Sequence, residues 1–343
     1  MAYTTIKKPS DYFNTKLYTG NGTTDTAITG VGFQPDMTWI KSRSAATPHS
    51  LTDAVRGNNQ GLYPNLTNAE NTSSNYVKSF DNDGFTLGTD SIINANSATF
   101  ASWNWLASNT TASNTVGDIN STVSANTTSG FSIVSYTGTG SSSATIGHGL
   151  GVTPKMIIIK NRSTTSNWVV YHETMGNNQI MFLDLTDGQS LSNGTFNATS
   201  PTNSTFTVGN SLSTNGSGNN IIAYCFSEIK GFSKFGSYVG NGSVDGSFCY
   251  LGFKPKLVIV KEYGASGNWI MKESRFDNQN DSYILSNDPS SEVNANAVVG
   301  FDLLSNGFKL RGTAGDSNGA GANILYMAFA EEPLVGDNPC TAR

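Results

Sequence analysis

Short apolar runs separated by glycine- and asparagine-rich turns recur along the whole chain. Three of these runs start just after a proline and end on a lysine; they are Pro35 to Lys41, Pro154 to Lys160 and Pro255 to Lys261. Met156 to Ile159 is apolar at every position, which indicates a central strand covered on both faces. A proline before a strand is tolerated because the first residue need not donate to the ladder. The runs therefore predict three equivalent central β-strands.

The three runs belong to a repeat with four ordered markers. Upstream of each run lies a Gly-apolar pair, and before that a Tyr-x-Gly-x-Gly. The pairs begin at Gly32, Gly149 and Gly252, and the tyrosines are Tyr18, Tyr136 and Tyr238. Each copy closes with an aromatic strand that ends at Trp105, Phe226 or Phe329, 64, 66 and 68 residues after the marker lysine. Such regular recurrence predicts three tandem modules of about one hundred residues, each the size of a domain.

Within each copy the pattern is that of short strands joined by turns. Phe131 to Tyr136 alternates apolar and polar residues, as a half-buried strand does. Asp83-Gly84 and Asn306-Gly307 favour the positive φ angles of a type I′ hairpin turn. Helical periodicity does not extend beyond one or two turns. We therefore predict an all-β chain of three tandem antiparallel β-sandwich modules, jelly-roll-like in character.

The markers also set the expected boundaries. We place an N-terminal arm at residues 1–16, module A at 17–107, a polar linker at 108–129, module B at 130–230, module C at 231–334 and a loose tail at 335–343. The segment 108–129 is rich in Asn, Ser and Thr and is expected to be a linker or an extended arm. The junction of modules B and C has no such segment. We therefore expect B and C to touch and A to move relative to them.

The N-terminal arm matches neither later module. It carries Tyr3, Ile6, Tyr12 and Phe13, apolar groups with no core of their own. Ordering each residue costs about 1–2 kcal/mol of backbone entropy, and burying such a side chain returns about 1.5–3 kcal/mol. We therefore predict an assembly arm that orders against like subunits or another protein. The alternative is that the arm folds back as an edge strand of module A.

Composition narrows the class of protein. Charged residues make up 13% of the chain, its formal charge is −5, and 37% of its residues are hydrophobic. This composition is not that of a disordered chain and indicates a β-rich protein displayed outside the cell or on a particle. The acidic balance predicts no nucleic-acid partner. No apolar run has the length of a membrane span, so we expect no membrane insertion, and the first residues lack the apolar region of a secretory signal.

We expect no catalytic residue. Module B, which contains His148 and His172, has no Gly-x-Ser-x-Gly motif that could supply a nucleophilic serine to either histidine. His49, the other histidine, lies in a different module. Three carboxylate pairs have the residue types of a glycosidase, namely Asp184 with Asp187, Asp277 with Asp281, and Asp81 with Asp83. The last pair flanks a hairpin turn, where Asp is favoured for backbone reasons.

We also expect no cofactor and no metal. Ser79 to Gly84 with Asp90 lacks the first Asp and the terminal Glu of a calcium loop, and the Tyr-x-Gly-x-Gly segments lack the Lys-Ser/Thr of a phosphate loop. Cys225 and Cys249 are expected to be buried thiols and Cys340 a free one. Three tryptophans on strand positions are expected in the core, with sugar stacking as the alternative; they are Trp39, Trp168 and Trp269.

A family resemblance covers residues 17 to 333. It is carried by Tyr-Thr-Gly-Asn-Gly from Tyr18, His148 to Gly151 with Pro154, Asn167 to His172, Ala223 to Phe226, and Phe232 to Tyr238. These segments resemble a repeat module of structural, tail-fibre-like virion proteins of marine tailed bacteriophages. Module A departs most, since Ser50 to Asp53 replaces the Asn-Trp strand. The resemblance implies a virion context and transfers no catalytic residue.

The expected function is that of a non-enzymatic structural protein on the surface of a tailed-phage virion, with tail-fibre or adhesin-type host recognition. A capsid decoration or knob protein is the alternative, and a glycan-degrading depolymerase is the alternative of another class. The expected partners are other virion proteins and like subunits in a homo-oligomer. A host-surface glycan is a further candidate partner.

Overall fold

The strands that the apolar runs predict are present, and β-strands pair antiparallel around each of them. The structure is a computed structural model that describes residues 4–192, 194–274, 282–294, 297–337 and 339–340. Short 3₁₀ helices occupy Pro9–Asp11, Glu173–Met175 and Ala297–Val299. The predicted all-β class is confirmed.

Each module contributes a similar succession of elements. The first contains β1 Phe13–Thr19, β2 Thr26–Thr29, β3 Met37–Ser42, β4 Ser50–Asp53, β5 Gln60–Gly61, β6 Asn71–Thr72, β7 Val77–Asp81, β8 Gly84–Leu87, α1 Ser91–Asn94 and β9 Thr99–Trp105. The second contains β10 Ala112–Asn114, β11 Ser121–Asn126, β12 Phe131–Thr137, β13 Ala144–Gly147, β14 Met156–Asn161, β15 Val169–His172, β16 Gln179–Phe182, β17 Ser190–Leu191, β18 Thr205–Val208, α2 Leu212–Asn215 and β19 Asn220–Phe226. The third contains β20 Ser233–Val239, β21 Phe248–Tyr250, β22 Phe253–Glu262, β23 Trp269–Glu273, β24 Ile284–Leu285, β25 Phe301–Leu304, β26 Gly307–Leu310, α3 Gly315–Asn318 and β27 Asn323–Pro333.

The sequence markers occupy equivalent places in the three larger sheets. These sheets have the strand orders β1-β9-β3-β4, β10-β11-β12-β19-β14-β15-β16-β17 and β20-β27-β22-β23-β24. In each, the closing aromatic pairs with the first residue of the apolar run, as Trp105↔Met37, Phe226↔Met156 and Phe329↔Leu257. The repeat in the sequence is therefore a repeat in strand register.

Each module has a core of its own between its larger sheet and a smaller one. The smaller sheets are β2-β8-β7, β13-β18 and β21-β26-β25. In module B, Ile157 and Ile159 of β14 face this core together with Phe206 of β18. Met156 and Ile158, the alternate residues of the same strand, face the opposite way. The central strand is apolar at every position because both of its faces are covered.

The second face of every larger sheet lies against one core that the three modules share. The closing aromatics meet there, with ring centroids 6.4 Å apart for Trp105 and Phe226, 5.6 Å for Trp105 and Phe329, and 6.0 Å for Phe226 and Phe329. A void of about 10 Å³ remains beside Trp105, at the lower limit for one water molecule. The shared core is therefore closely packed protein interior rather than a ligand pocket.

The N-terminal residues do not form the assembly arm that we predicted. Phe13 is fully buried and Ile6 is 1% exposed, both in the shared core, and the Tyr12 ring packs edge-on against Phe232 at 6.1 Å. Phe13 opens β1, an edge strand of module A, so residues 13–16 of the predicted arm belong to that strand. The shared core of the three modules buries the apolar side chains of Ile6 and Phe13. Tyr3 lies outside the described residues.

The segment 108–129, predicted to be a polar linker, forms paired β-strands. Within 108–129, strand β10 pairs with β11, and β11 pairs along its whole length with β12, from Ser121↔Tyr136 to Asn126↔Phe131. Ile119 and Val123 are buried in the core of module B. The segment therefore belongs to module B. With the shared core, it argues against free movement of module A.

Candidate functional site

Tryptophan and histidine side chains that the sequence pointed out form hydrogen bonds across the module interfaces. Trp168 Nε1 of module B donates to Tyr63 O of module A at 2.9 Å, and Trp269 Nε1 of module C donates to Phe182 O of module B at 2.9 Å. His49 occupies the equivalent register position in module A, and its Nε2 lies 3.0 Å from Leu285 O of module C. The three contacts join B to A, C to B and A to C, which closes a ring.

The three marker lysines are fully buried in the same ring. Lys160 Nζ donates to Thr67 O of module A at 2.8 Å, and Lys261 Nζ donates to Thr186 O of module B at 2.9 Å. Lys41 donates to Ser42 O and Ala45 O at 2.7 and 3.1 Å. Burial lowers the pKa of each lysine to about 8, against the opposing effect of nearby carboxylates. Their main-chain partners make these lysines structural.

A second set of equivalent polar groups bridges the modules near the closing aromatics. Asp53, His172 and Glu273 share one register position and are all buried. Tyr224 OH donates to Asp53 at 2.7 Å, His172 Nε2 lies 3.2 Å from Tyr326 O, and Thr15 Oγ1 donates to Glu273 at 2.7 Å. Each contact crosses from one module to the next. The sequence does not reveal this set because its three residue types differ.

Ion pairs reinforce two of the interfaces. Arg162 of module B holds Glu70 of module A through Nη2 at 2.7 Å and Nε at 2.9 Å. Arg43 of module A holds Glu292 of module C in the same manner. The main-chain N–H of each glutamate donates to its arginine's carbonyl at 2.9 Å. The paired side chains are 3–20% exposed, so bulk water screens them only partly.

The histidines are internal. Burial lowers the pKa of His49 to about 3 and that of His172 to about 4, and it also lowers the pKa of His148. Nδ1 of His172 accepts from Thr174 N–H at 3.2 Å, as Nδ1 of His148 does from Leu150 N–H. His148 and His172 therefore cap the backbone that follows them, whereas Nδ1 of His49 accepts from Trp39 Nε1 at 2.9 Å.

Three of the carboxylates considered for catalysis or calcium binding accept hydrogen bonds from main-chain N–H groups. Asp184 is 8% exposed and accepts from Trp168 N–H at 2.8 Å, and burial raises its pKa. Its proposed partner Asp187 is exposed. Asp83 accepts from Gly30 and Gly32 N–H, which lowers its pKa, and Asp90 caps α1. Asp277 and Asp281 lie outside the described residues.

The tryptophans and cysteines lie where residue type predicts. Trp39, Trp168 and Trp269 are 4%, 0% and 0% exposed, which confirms the core interpretation. Cys225 and Cys249 are buried free thiols, and Cys340 is free, as predicted. Within the described ranges, no three His, Cys, Asp or Glu side chains are placed to hold a metal ion. No helix in that part of the chain is long and apolar enough to cross a membrane.

The surface with repeated structure is the sheet end opposite the closing aromatics. There β1, β12 and β20 each run into a mostly exposed loop, at residues 21–25, 139–143 and 241–245. A fully buried asparagine at the end of a short helix fixes each loop; these are Asn94, Asn215 and Asn318. Its Oδ1 accepts from the loop N–H of Asn21, Thr139 or Asn241 at 2.8–3.0 Å. We take these three loops, the loop face, as the candidate site.

These asparagines are not among the residues predicted from the sequence. Each side-chain Nδ2 also donates to two carbonyls, those of Thr23 and Gly88, Ser141 and Gly209, or Ser243 and Gly312. The signal that identifies them is their spacing, because each lies eleven residues before the closing aromatic of its module.

The comparisons with known proteins agree with a single family over nearly the whole chain. No curated protein and no solved structure matches it. A family model described as a domain of unknown function, DUF7483, matches residues 8–333, which include all three modules. The chain therefore belongs to the DUF7483 family.

Proposed function

We propose that this chain is a non-enzymatic, surface-displayed structural protein of a tailed-phage virion, and that its loop face recognises the host. The observation that carries the proposal is the triplicate loop, held by Asn94, Asn215 and Asn318 on three sheets that share one core. Ser, Thr, Asn and Gly dominate the loops, and such side chains make adaptable hydrogen bonds on a rigid support. The ligand class that suits them is a host-surface glycan.

The virion context rests on the resemblance of the repeat to tail-fibre-like proteins. The interface chemistry is consistent with a structural protein, since the described histidines and marker lysines bond the backbone. Because the modules share one core, the distances between the three loops stay fixed. Several weak loop–ligand contacts made at the same time bind far more tightly than one.

The test uses purified particles and the recombinant chain. Immunogold microscopy of particles should place the chain on the tail, whereas labelling over the head would favour capsid decoration. The recombinant chain should bind host cells. A triple substitution of loop residues Thr23, Ser141 and Ser243 to Arg should abolish that binding, and Val152→Arg, at an exposed position outside the loop face, should not. Equal binding by both variants, or release of cleaved glycan from the cells, would refute the proposal.

A further inference from the structure

Two aromatic side chains follow each other on the outer face of the smaller sheet of module C. Phe248 and Tyr250 of β21 are 45% and 51% exposed, and Cys249 between them is buried in the core of that module. Side chains alternate along a strand, so both rings lie on the face of the sheet turned away from the core. Positions two residues apart on a strand are about 7 Å apart, so the rings form a short aromatic row.

Modules A and B have no aromatic side chain at the equivalent positions. In each module a residue of the smaller sheet pairs with a buried phenylalanine; the pairs are Ile28↔Phe85, Ile146↔Phe206 and Cys249↔Phe308. The residues on either side of the first partner are Ala27 and Thr29 in module A, and Thr145 and Gly147 in module B. The repeated fold therefore forms without aromatic rings on this face. Exposed apolar surface that a fold does not need is typical of a binding site.

Gly307 allows the Phe248 ring to lean across the sheet. Gly307 of β26 pairs with Tyr250, and Phe248 Cε2 lies 3.2 Å from the point where a Cβ on Gly307 would stand. A larger residue at this position would meet both the ring and the main chain of Cys249. The ring therefore lies over the main chain of β26, with its exposed part turned to solvent.

Charged side chains border the Phe248 ring. Lys309, the partner of Phe248 in the strand register, pairs with Asp245 at 2.8 Å. Arg311 Nη1 lies 3.7 Å from the same carboxylate, and both Asp245 and Arg311 are exposed. Hydrogen-bond donors and acceptors therefore stand at the edge of an apolar surface.

The size of this surface favours a small ligand over a protein. Two half-exposed aromatic rings offer about 200 Å² of surface in total, whereas a stable protein interface covers about 800 Å² on each partner. A pyranose ring fits both parts of the surface, because its apolar C–H face packs on an aromatic ring while its hydroxyl groups bind charged side chains at the edge. The formal charge of −5 argues against a nucleic acid, whose bases would also stack on the rings.

We propose that Phe248 and Tyr250 form a saccharide platform, on which a pyranose unit stacks while Asp245 and Arg311 bind its hydroxyl groups. Asp245 belongs to the loop at residues 241–245, so the platform extends the loop face along module C. The inference rests on the proposed host recognition, and it assigns the glycan to one module and to named contacts.

The test measures binding of the full-length chain to an array of neutral and acidic pyranose oligosaccharides. Phe248→Ala and Tyr250→Ala should each weaken binding at least about tenfold, because each removes a stacking surface. Phe248→Tyr keeps an aromatic ring and should retain binding. Leu191→Ala, at a position of module B that is 58% exposed, is the control and should bind as the wild type does. Circular dichroism checks that each variant is folded.

Proton NMR of a bound oligosaccharide adds a measurement that reports on stacking itself. The ring current of an aromatic side chain moves the resonances of sugar C–H protons that lie over its face upfield. This shift should appear with the wild type and with Phe248→Tyr, and it should be lost with Phe248→Ala. A bound sugar whose C–H resonances do not move would overturn the inference.

Binding assays on host cells separate this inference from the proposed function. The inference is overturned if no oligosaccharide binds, or if the wild type and both alanine variants bind alike. If the chain binds host cells and Phe248→Ala and Tyr250→Ala bind them equally well, host recognition stands and the platform is wrong. If the two variants lose an oligosaccharide that the wild type binds, yet the wild type does not bind host cells, the platform stands and host recognition is wrong.

Discussion

At the residue scale, equivalent positions of the three modules make equivalent hydrogen bonds, but the side chains that make them are not always identical. Asn94, Asn215 and Asn318 are identical because each must donate twice and accept once within one buried turn, which suits a single amide side chain. His49 and Trp168, by contrast, need only one ring N–H aimed at a carbonyl of the next module. Identity is therefore strict where the hydrogen-bond pattern is complete and relaxed where a single donor suffices.

Replacing the buried amide of Asn215 with a methyl group should cost stability. Asn215→Ala leaves Thr139 N–H and the carbonyls of Gly209 and Ser141 without their partner. We expect the free energy of unfolding to fall by about 1–3 kcal/mol, measured by urea denaturation. The control is Asn96→Ala, at an exposed position. Similar losses in the two variants would contradict the role assigned to Asn215.

A buried marker lysine should make stability depend on pH in a defined window. Burial lowers the pKa of Lys160 in the folded chain from 10.5 to about 8. Between these values the unfolded chain holds the proton and the folded chain releases it, so the contribution of Lys160 to the free energy of unfolding rises with pH.

The wild type should therefore gain stability relative to Lys160→Met from pH 8 to 10.5. The comparison cancels the tyrosines and thiols, which both proteins share. Lys78→Met, at a partly exposed position, is the control and should show no such trend. A difference between wild type and Lys160→Met that stays constant over the window would refute the prediction.

At the element scale, strands β10 and β11 show how a polar segment becomes part of a domain. Their sequence has little apolar content, yet all of β11 pairs with β12, and Asp118 accepts from Thr145 N–H and Oγ1 at 2.9 and 2.7 Å. Ile119 contributes the apolar contact and is 6% exposed. The segment thereby joins the two sheets of module B, because Gly117 and Ile119 form bridges to Ile146 of β13.

Truncation of this apolar contact should destabilise the protein. Ile119→Ala removes buried methyl groups from the core of module B, and we expect a loss of about 2 kcal/mol or more. Val116→Ala lies three residues away and 50% exposed, so its effect should stay within about 0.5 kcal/mol. Urea denaturation of both variants checks this. An unaltered Ile119→Ala protein would mean that the segment is a linker after all.

At the scale of the whole molecule, the three modules pack against one another around the shared core. Each larger sheet gives one face to the shared core and the other to its own, and the ring of lysine, tryptophan and histidine contacts links each module to the next. A module taken alone would expose a whole apolar sheet face to water.

The chain should therefore unfold in one transition. In scanning calorimetry we expect a single peak with matching calorimetric and van't Hoff enthalpies. Phe13→Ala, in the shared core, should shift the entire peak to lower temperature by a loss of about 3–5 kcal/mol. Phe248→Ala, 45% exposed on β21, should leave it nearly in place. Separate peaks, or a shift confined to part of the heat absorbed, would show that the modules unfold independently.

Sequence patterns were sufficient for the local architecture. The marker lysines, the Tyr-x-Gly-x-Gly segments and the closing aromatics predicted the repeat, and their strand registers coincide in the three modules. The continuous apolar run at Met156 to Ile159 correctly indicated a strand covered on both faces. Periodicity carries this information because side chains alternate along a strand and their polarity records what each face meets.

What covers each face was decided only by the tertiary structure. In β14, Met156 packs in the shared core, whereas Ile157 packs in the core of module B. The apolar run alone does not predict which residue faces which core. The N-terminal residues and the segment 108–129 were misplaced for a related reason. Both join sheet edges, where main-chain hydrogen bonds supply much of the pairing and the side-chain pattern need not show it. The sequence by itself determined the modules, and the folded chain determined that they share one core.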